Sequence, residues 1–235
     1  MDITNPSCGK ILNVQHKELK FNWNVIKPIH FSKNLLVMST DFFLPSNDQP
    51  IILDAEQKAE MIRQYIHNVD FGKLDYLFID TPPTTSEELL TIMNIIESKN
   101  TTYILITQPS DVSDNAVQKS VRYLVEEGVT ISGIIDNMYG HICSKCGHHD
   151  KLFIQEGMST RDMAEKYGIP YLGGIPTGLI KKGNRGEIIL DNEIFYEIAE
   201  KIIHGKGVHY KKKFPRKRSI YKRALRMLKV LRSVH

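Results

Sequence analysis

The sequence predicts an α/β domain built on a doubly wound, mostly parallel sheet, and two observations carry that expectation. Three short apolar runs are rich in β-branched and aromatic residues: Tyr76-Leu77-Phe78-Ile79, Tyr103-Ile104-Leu105-Ile106 and Ile131-Ser132-Gly133-Ile134-Ile135. Continuous apolar runs of this length read as parallel strands buried on both faces. Segments with helical spacing separate them, which implies right-handed crossovers. Sheets of this kind bind ligands at the carboxyl ends of their strands, where Asp80, Gln108 and Asn137 stand.

In chain order, residues 25–30 and 35–39 read as strands and 56–69 as a helix. Trp23 suits the packing of a hairpin. The helix expected at 87–98 would bury Leu89, Leu90, Ile92, Met93 and Ile96. That at 113–127 places Val117, Val121, Leu124 and Val125 on one face, and Gly128 stops it. A short helix at 159–167 should end at Gly168-Ile169-Pro170. A strand at 171–175 and a closing helix at 192–203 complete the pattern.

At 235 residues the chain suffices for one sizeable α/β domain with an appendage. It contains no run of about twenty apolar residues, so no membrane span is expected. The opening Met1-Asp2-Ile3-Thr4-Asn5-Pro6 is not patterned as a secretory signal. Sparse cysteine agrees with a reducing compartment, and a cytoplasmic location, possibly peripheral to a membrane, is expected.

The net charge of +4 conceals an asymmetry. Residues 1–203 hold 19 Lys and Arg against 27 Asp and Glu, a balance of −8, whereas 204–235 hold 12 Lys and Arg and no acid. We therefore divide the chain into a body, 1–203, and a basic tail, 204–235. In the tail Tyr221, Ala224, Leu225, Leu228 and Leu231 recur at helical spacing among Lys222, Arg223, Arg226, Lys229 and Arg232. A cationic amphipathic helix of this kind suits an anionic membrane surface. Nucleic acid is the poorer partner, because stacking aromatics are sparse there.

The chemistry concentrates in Asp136-Asn137-Met138-Tyr139-Gly140-His141-Ile142-Cys143-Ser144-Lys145-Cys146-Gly147, a strand running into a Cys-x-x-Cys loop. Three cysteines cannot build a disulfide framework, so the pair points to a metal or redox site. Two thiolates are too few for a tetrahedral metal or a four-cysteine cluster. Either His148 and His149 complete the set as a mononuclear zinc site, or a second copy of the chain does. Cys8 stands apart and reads as a packing residue.

Several motifs in order resemble the Mrp-type ATPases, iron–sulfur cluster carriers of the MinD/ParA group of P-loop proteins. Asp80-Thr81-Pro82-Pro83 followed by Thr85-Ser86-Glu87 is similar to their magnesium-binding strand and second switch. Asp136-Asn137-Met138 with Cys143 and Cys146 resembles their Glu-Asn-Met segment and cysteine pair. Tyr171-Leu172-Gly173-Gly174-Ile175-Pro176 resembles a Leu-Gly-x-Ile-Pro turn, and Gly183-Asn184-Arg185-Gly186 a later Gly-rich segment. The resemblance implies a P-loop NTPase-like sheet. It makes Asp2 the first-switch aspartate that orients the attacking water, and Asp80 the carboxylate near magnesium. Asn137 faces adenine and Pro176 lies beside the base. Cys143 and Cys146 become ligands of a four-iron, four-sulfur cluster bridging a homodimer, which an acceptor apo-protein receives. Two thiolates from each of two chains give the four that such a cluster needs.

The sequence departs from that pattern around phosphate. The family's phosphate-binding loop precedes the segment matching Asp2, whereas here Met1 stands there, and Gly9-Lys10-Ile11 is no substitute. Thr84 replaces a glycine, and Ile52-Leu53-Asp54-Ala55-Glu56 a Trp-Arg-Gly-Pro segment. A separate chain supplying the loop, a truncated product, or a domain that closes differently are the expectations. Relaxed nucleotide chemistry is thus expected, with ATP and magnesium doubtful as ligands and negligible hydrolysis by this chain alone. A rival reading is a non-enzymatic adaptor for membranes or polyanions that works through its tail.

Overall fold

The computed structural model describes residues 6–14, 17–22, 25–43, 52–82, 86–96, 100–143, 145–153, 157–179, 181–182, 188–189 and 193–211. Its amino-terminal part is made of short pieces. A single turn, α1 (Cys8–Ile11), precedes two antiparallel hairpins: β1 (Lys20–Asn22) with β2 (Val25–Lys27), and β3 (Ile29–Ser32) with β4 (Leu35–Val37). The strand expected over 25–30 is thereby divided. Pro28 has no N–H to give a ladder, and the chain changes partner across it. A 3-10 turn at Thr40–Phe43 buries Asp41, whose Oδ2 accepts from the Gly9 amide at 3.0 Å.

Two helices follow, α2 (Ala55–His67) and α3 (Glu87–Ile95). Asp54 and Gln57 satisfy each other's free amides in a capping box that starts α2, and the Ser86 hydroxyl accepts from Leu89 to start α3. The helices meet through Ile62 and Ile92, with Leu53, Met61, Ile66 and Ile79 around them.

Between these helices the sequence expectation fails. Residues 76–79 form no strand ladder, and Tyr76, Leu77 and Phe78 are 58, 52 and 74 % exposed. Only Ile79 packs into the α2–α3 cluster. The reason is that a strand is a pairwise state. Apolar composition supplies a motive for burial, but the backbone N–H and C=O groups need a neighbour, and no described strand stands beside this run.

The remaining elements are β5 (Thr102–Thr107), α4 (Asp111–Glu127), β6 (Thr130–Ile142), β7 (His149–Asp150), α5 (Thr160–Tyr167), β8 (Tyr171–Thr177), β9 (Lys181–Lys182), β10 (Ile188–Ile189), α6 (Glu193–His204) and β11 (Val208–His209). β9 and β10 pair as a separate hairpin. The main sheet is organised around β6. Its first half lies parallel to β5, from Thr102↔Thr130 to Thr107↔Asp136, and from Ile134 onward it lies parallel to β8. Antiparallel β11 pairs with its start and β7 with its end.

The sheet has two apolar faces, and a register shift that skips Ser132 brings Ile131 and Ile134 to the same one. Leu105, Ile131 and Ile134 pack with Val121 and Leu124 of α4 and Met163 of α5. Ile104, Ile135 and Leu172 pack on the other face with Ile198 of α6. The sheet is therefore wound on both sides, as the sequence implied, though mixed in direction. Each fully buried isoleucine contributes roughly 2 kcal/mol. Helix ends follow local chemistry: Gly128 (φ 72°) ends α4 and Gly168 (φ 65°) ends α5, both in the left-handed region that glycine enters freely.

The residues after α6 are bound to this body. β11 pairs Val208 with Ile131, and the Tyr210 hydroxyl donates to the Tyr167 carbonyl at 2.7 Å. Residues 212–235, with the cationic helical pattern, lie outside the described residues. Among the described residues no helix is long and apolar enough to cross a membrane.

Candidate functional site

The site grows from the carboxyl half of β6. Asp136, almost fully buried, sits between Thr107 of β5 and Gly174 of β8. Asn137, half-buried, stands opposite Ile175. The ladder then becomes irregular, because β6 advances four residues to His141 while β8 advances two, from Ile175 to Thr177. Met138 takes φ 58°, a conformation that non-glycine residues rarely adopt. Met138 and Tyr139 are consequently 38 and 51 % exposed. Pro176 fills the β8 side of the irregularity, where no ladder N–H is required.

The glycine pair Gly173-Gly174 has a steric reason. A Cβ at Gly174 would lie 2.9 Å from Cγ of Tyr139 and 3.1 Å from the Tyr171 hydroxyl. Burial raises the Tyr171 phenol above its ordinary value, and the Asp136 carboxylate adds to that. The Arg161 guanidinium, 4.3 Å from the Tyr171 ring centroid, opposes it. Gln108 follows β5 and donates through Nε2 to the Met138 sulfur at 3.4 Å.

Beyond His141 the strand becomes one arm of a hairpin with β7. The Cys143 amide donates to the His148 carbonyl at 2.9 Å, and the Gly147 amide to the Cys143 carbonyl at 2.8 Å. Gly147 turns at φ 69°. The Cys143 sulfur accepts from the backbone amides of Cys146 and Lys145, and from the Cys146 thiol. These donors hold its pKa below the ordinary thiol value, against the opposing charge of Asp150. The loop is a knuckle that stabilises thiolate.

The zinc set of Cys143, Cys146, His148 and His149 is not gathered in this geometry. His148 Nε2 lies 3.1 Å from Asp150 Oδ1, turned to its own hairpin neighbour. Among the described residues no group of three or more His, Cys, Asp or Glu could hold a metal ion. The loop itself offers two sulfurs, Cys143 and Cys146.

Asp80 is exposed at the end of the unpaired 76–79 run. Its Oδ2 is 4.0 Å from the Cys8 sulfur, so Cys8 is less isolated than its sequence position suggests. No hydrogen bond among the described residues joins Asp80 to Asn137 or Pro176, whereas Asn137 and Pro176 share the β6–β8 margin. Asp2, Pro83, Thr84, Thr85 and residues 183–186 lie outside the described residues.

A family model for the NUBPL iron-transfer P-loop NTPases, within the ParA group, matches residues 1–204. The chain belongs to this family. A solved structure, the nucleotide-binding protein in complex with ADP from Archaeoglobus fulgidus, is similar to it, with a TM-score of 0.58 and 22 % identity. The match covers 89 % of this chain and 74 % of that one. At that identity the likeness bears on fold, and it agrees with the P-loop NTPase-like architecture.

The sequence singles out Cys143, Cys146, Asn137 and Pro176 but not the residues packed around them. Tyr139, Arg161, His141 and Thr177 carry no motif of their own. The doubled glycine at 173–174 was the one available signal, since it marks a close approach.

Proposed function

We propose that this chain carries iron–sulfur cargo in the Mrp manner, with a four-iron, four-sulfur cluster between the knuckles of two copies. The observation that carries this reading is the knuckle itself: two sulfurs, one of them stabilised as thiolate, with no third ligand gathered from the described residues of the same chain. Two such halves related by a twofold axis supply four thiolates. Release to an acceptor apo-protein is ligand exchange. Each incoming thiol gives its proton to the departing Cys143 or Cys146 sulfur as its own sulfur takes the iron. No net electron transfer is needed, and a thiolate held by amide donors leaves readily.

Anaerobic reconstitution with iron and sulfide tests this. We expect a brown dimer with about four iron atoms per two chains, and loss of both colour and iron in Cys143→Ala or Cys146→Ala. A colourless protein, or a single zinc ion held tightly by each monomer, would overturn the reading.

We read Asn137 and Pro176, at the β6–β8 margin, as the residues beside the base and Asp80 as the carboxylate near magnesium. The 235-residue chain assayed alone is expected to turn over negligible ATP. Turnover by the chain alone that Asp80→Ala abolishes would contradict this.

The charge asymmetry supports a second reading, an adaptor that docks on an anionic membrane surface through residues 205–235. Both readings place the protein in the cytoplasm, and this one places it at the membrane periphery.

A further inference from the structure

Between Asn137 and His141 the knuckle is not held by a regular ladder, so its direction must be set by something else. His141 is where the separate supports converge. In register it stands opposite Thr177 at the end of β8 and opposite Asp150 in β7. Its Nδ1 is 3.0 Å from the Thr177 hydroxyl oxygen, and that hydroxyl donates to the Gly140 carbonyl at 3.2 Å. A threonine hydroxyl has one proton. With it committed to Gly140, the oxygen accepts from His141, which fixes the ring with hydrogen on Nδ1.

Two glycines permit this arrangement. A Cβ at Gly178 (φ 92°) would lie 2.4 Å from the Ile142 carbonyl oxygen and 3.3 Å from His141 Cε1. A Cβ at Gly140 would lie 2.8 Å from the Asp150 carbonyl oxygen. The stub 140–142 is therefore gripped from β7 on one side and from the end of β8 on the other, and Cys143 follows immediately.

We infer that His141 and Thr177 are positioning residues for the sulfur pair, and that their hydrogen bond sets how slowly a thiophilic metal leaves Cys143 and Cys146. They touch no cargo and act through the hairpin. The inference rests on the carrier reading to the extent that the knuckle holds metal. Partners that orient metal ligands from outside typically alter retention about 10- to 100-fold when removed.

The test loads the full chain with cobalt(II) under anaerobic conditions, follows the thiolate-to-cobalt absorption, and times its loss to excess EDTA. Thr177→Val, which keeps shape and removes both hydrogen bonds, should release cobalt about tenfold or more faster, at unchanged stoichiometry. Thr177→Ser should hold as the natural protein does. His141→Phe should match Thr177→Val, and His141→Asn, which keeps a donor near the Nδ1 position, should restore retention. The double variant Thr177→Val/His141→Phe should be no faster than Thr177→Val alone, because the bond that His141→Phe removes is already lost there. If Thr177→Val folds poorly, the two His141 variants decide. Release at the natural rate from a folded Thr177→Val or His141→Phe would overturn the inference while leaving the carrier reading intact, as would additive single effects. Failure of the natural protein to bind cobalt through thiolate would overturn both.

Discussion

Across the seam between α2 and α3, the Lys58 ammonium nitrogen sits 3.0 Å from a carboxylate oxygen of Glu88, whose side chain is almost wholly buried. Burial alone would raise the Glu88 pKa. The Lys58 hydrogen bond, a backbone amide and the Ser86 hydroxyl outweigh it, and the carboxyl is held below its usual range. A depressed carboxylate stabilises the fold above the unfolded pKa, and that contribution is lost as pH falls through the folded value. Glu88→Gln should therefore cost roughly 1–3 kcal/mol at pH 7 and less at acid pH, where the folded carboxyl takes up its proton. Urea unfolding at neutral and acid pH checks this. An equal loss at both would show the charge to be irrelevant.

Cys143 should be the most reactive cysteine of the chain at neutral pH. Its donors are mostly backbone amides, so Cys146→Ala should slow alkylation only partly. Iodoacetamide labelling followed by mass spectrometry between pH 6 and 9 should show Cys143 reacting well below the pH at which an ordinary thiol does. Parallel pH profiles for Cys8 and Cys143 would contradict the knuckle.

Gly174→Ala should strain the site from beneath. The new methyl meets Tyr139 at 2.9 Å, so the ring must move, at about 1–3 kcal/mol. Adding Tyr139→Ala should recover part of that loss in thermal unfolding. A single substitution with no effect on Tm would mean that Tyr139 is free to swing away.

Truncation should depend sharply on where the chain is cut. Ending it at residue 211 keeps β11 and the Tyr210–Tyr167 bond, whereas ending it at 204 removes both. The 1–211 form should melt with the full chain and lose sedimentation with anionic vesicles, each basic residue near the surface contributing about 1 kcal/mol. The 1–204 form should melt earlier. Vesicle binding that survives in 1–211 would place the cationic surface elsewhere.

How far the sequence spoke depends on where each stabilising partner lies. α2, α4, α5 and β5 were legible because their signals are local: periodicity, a cap, a glycine stop. β6 was seen only as far as Ile135, since Asn137-Met138-Tyr139-Gly140-His141 has no strand-like alternation. Its continuation to Ile142 depends on partners at Thr177 and Asp150. The run 76–79 erred in the opposite direction, for its composition promised burial that no described neighbour provides. The pairing of Cys143 and Cys146 in one loop was legible because a Cys-x-x-Cys spacing is local. The His141–Thr177 pair was not, because 36 residues separate its members.

One strand separates the protein's two extremities. The basic segment departs from β11, which is laced to Thr130 and Ile131, while the sulfur loop hangs beyond Ile142. Thirteen residues of β-structure span at most about 40 Å. On the membrane reading proposed above, the chain would leave β11 at the end of β6 opposite Cys143, so lipid and an acceptor would meet it at different ends of one strand.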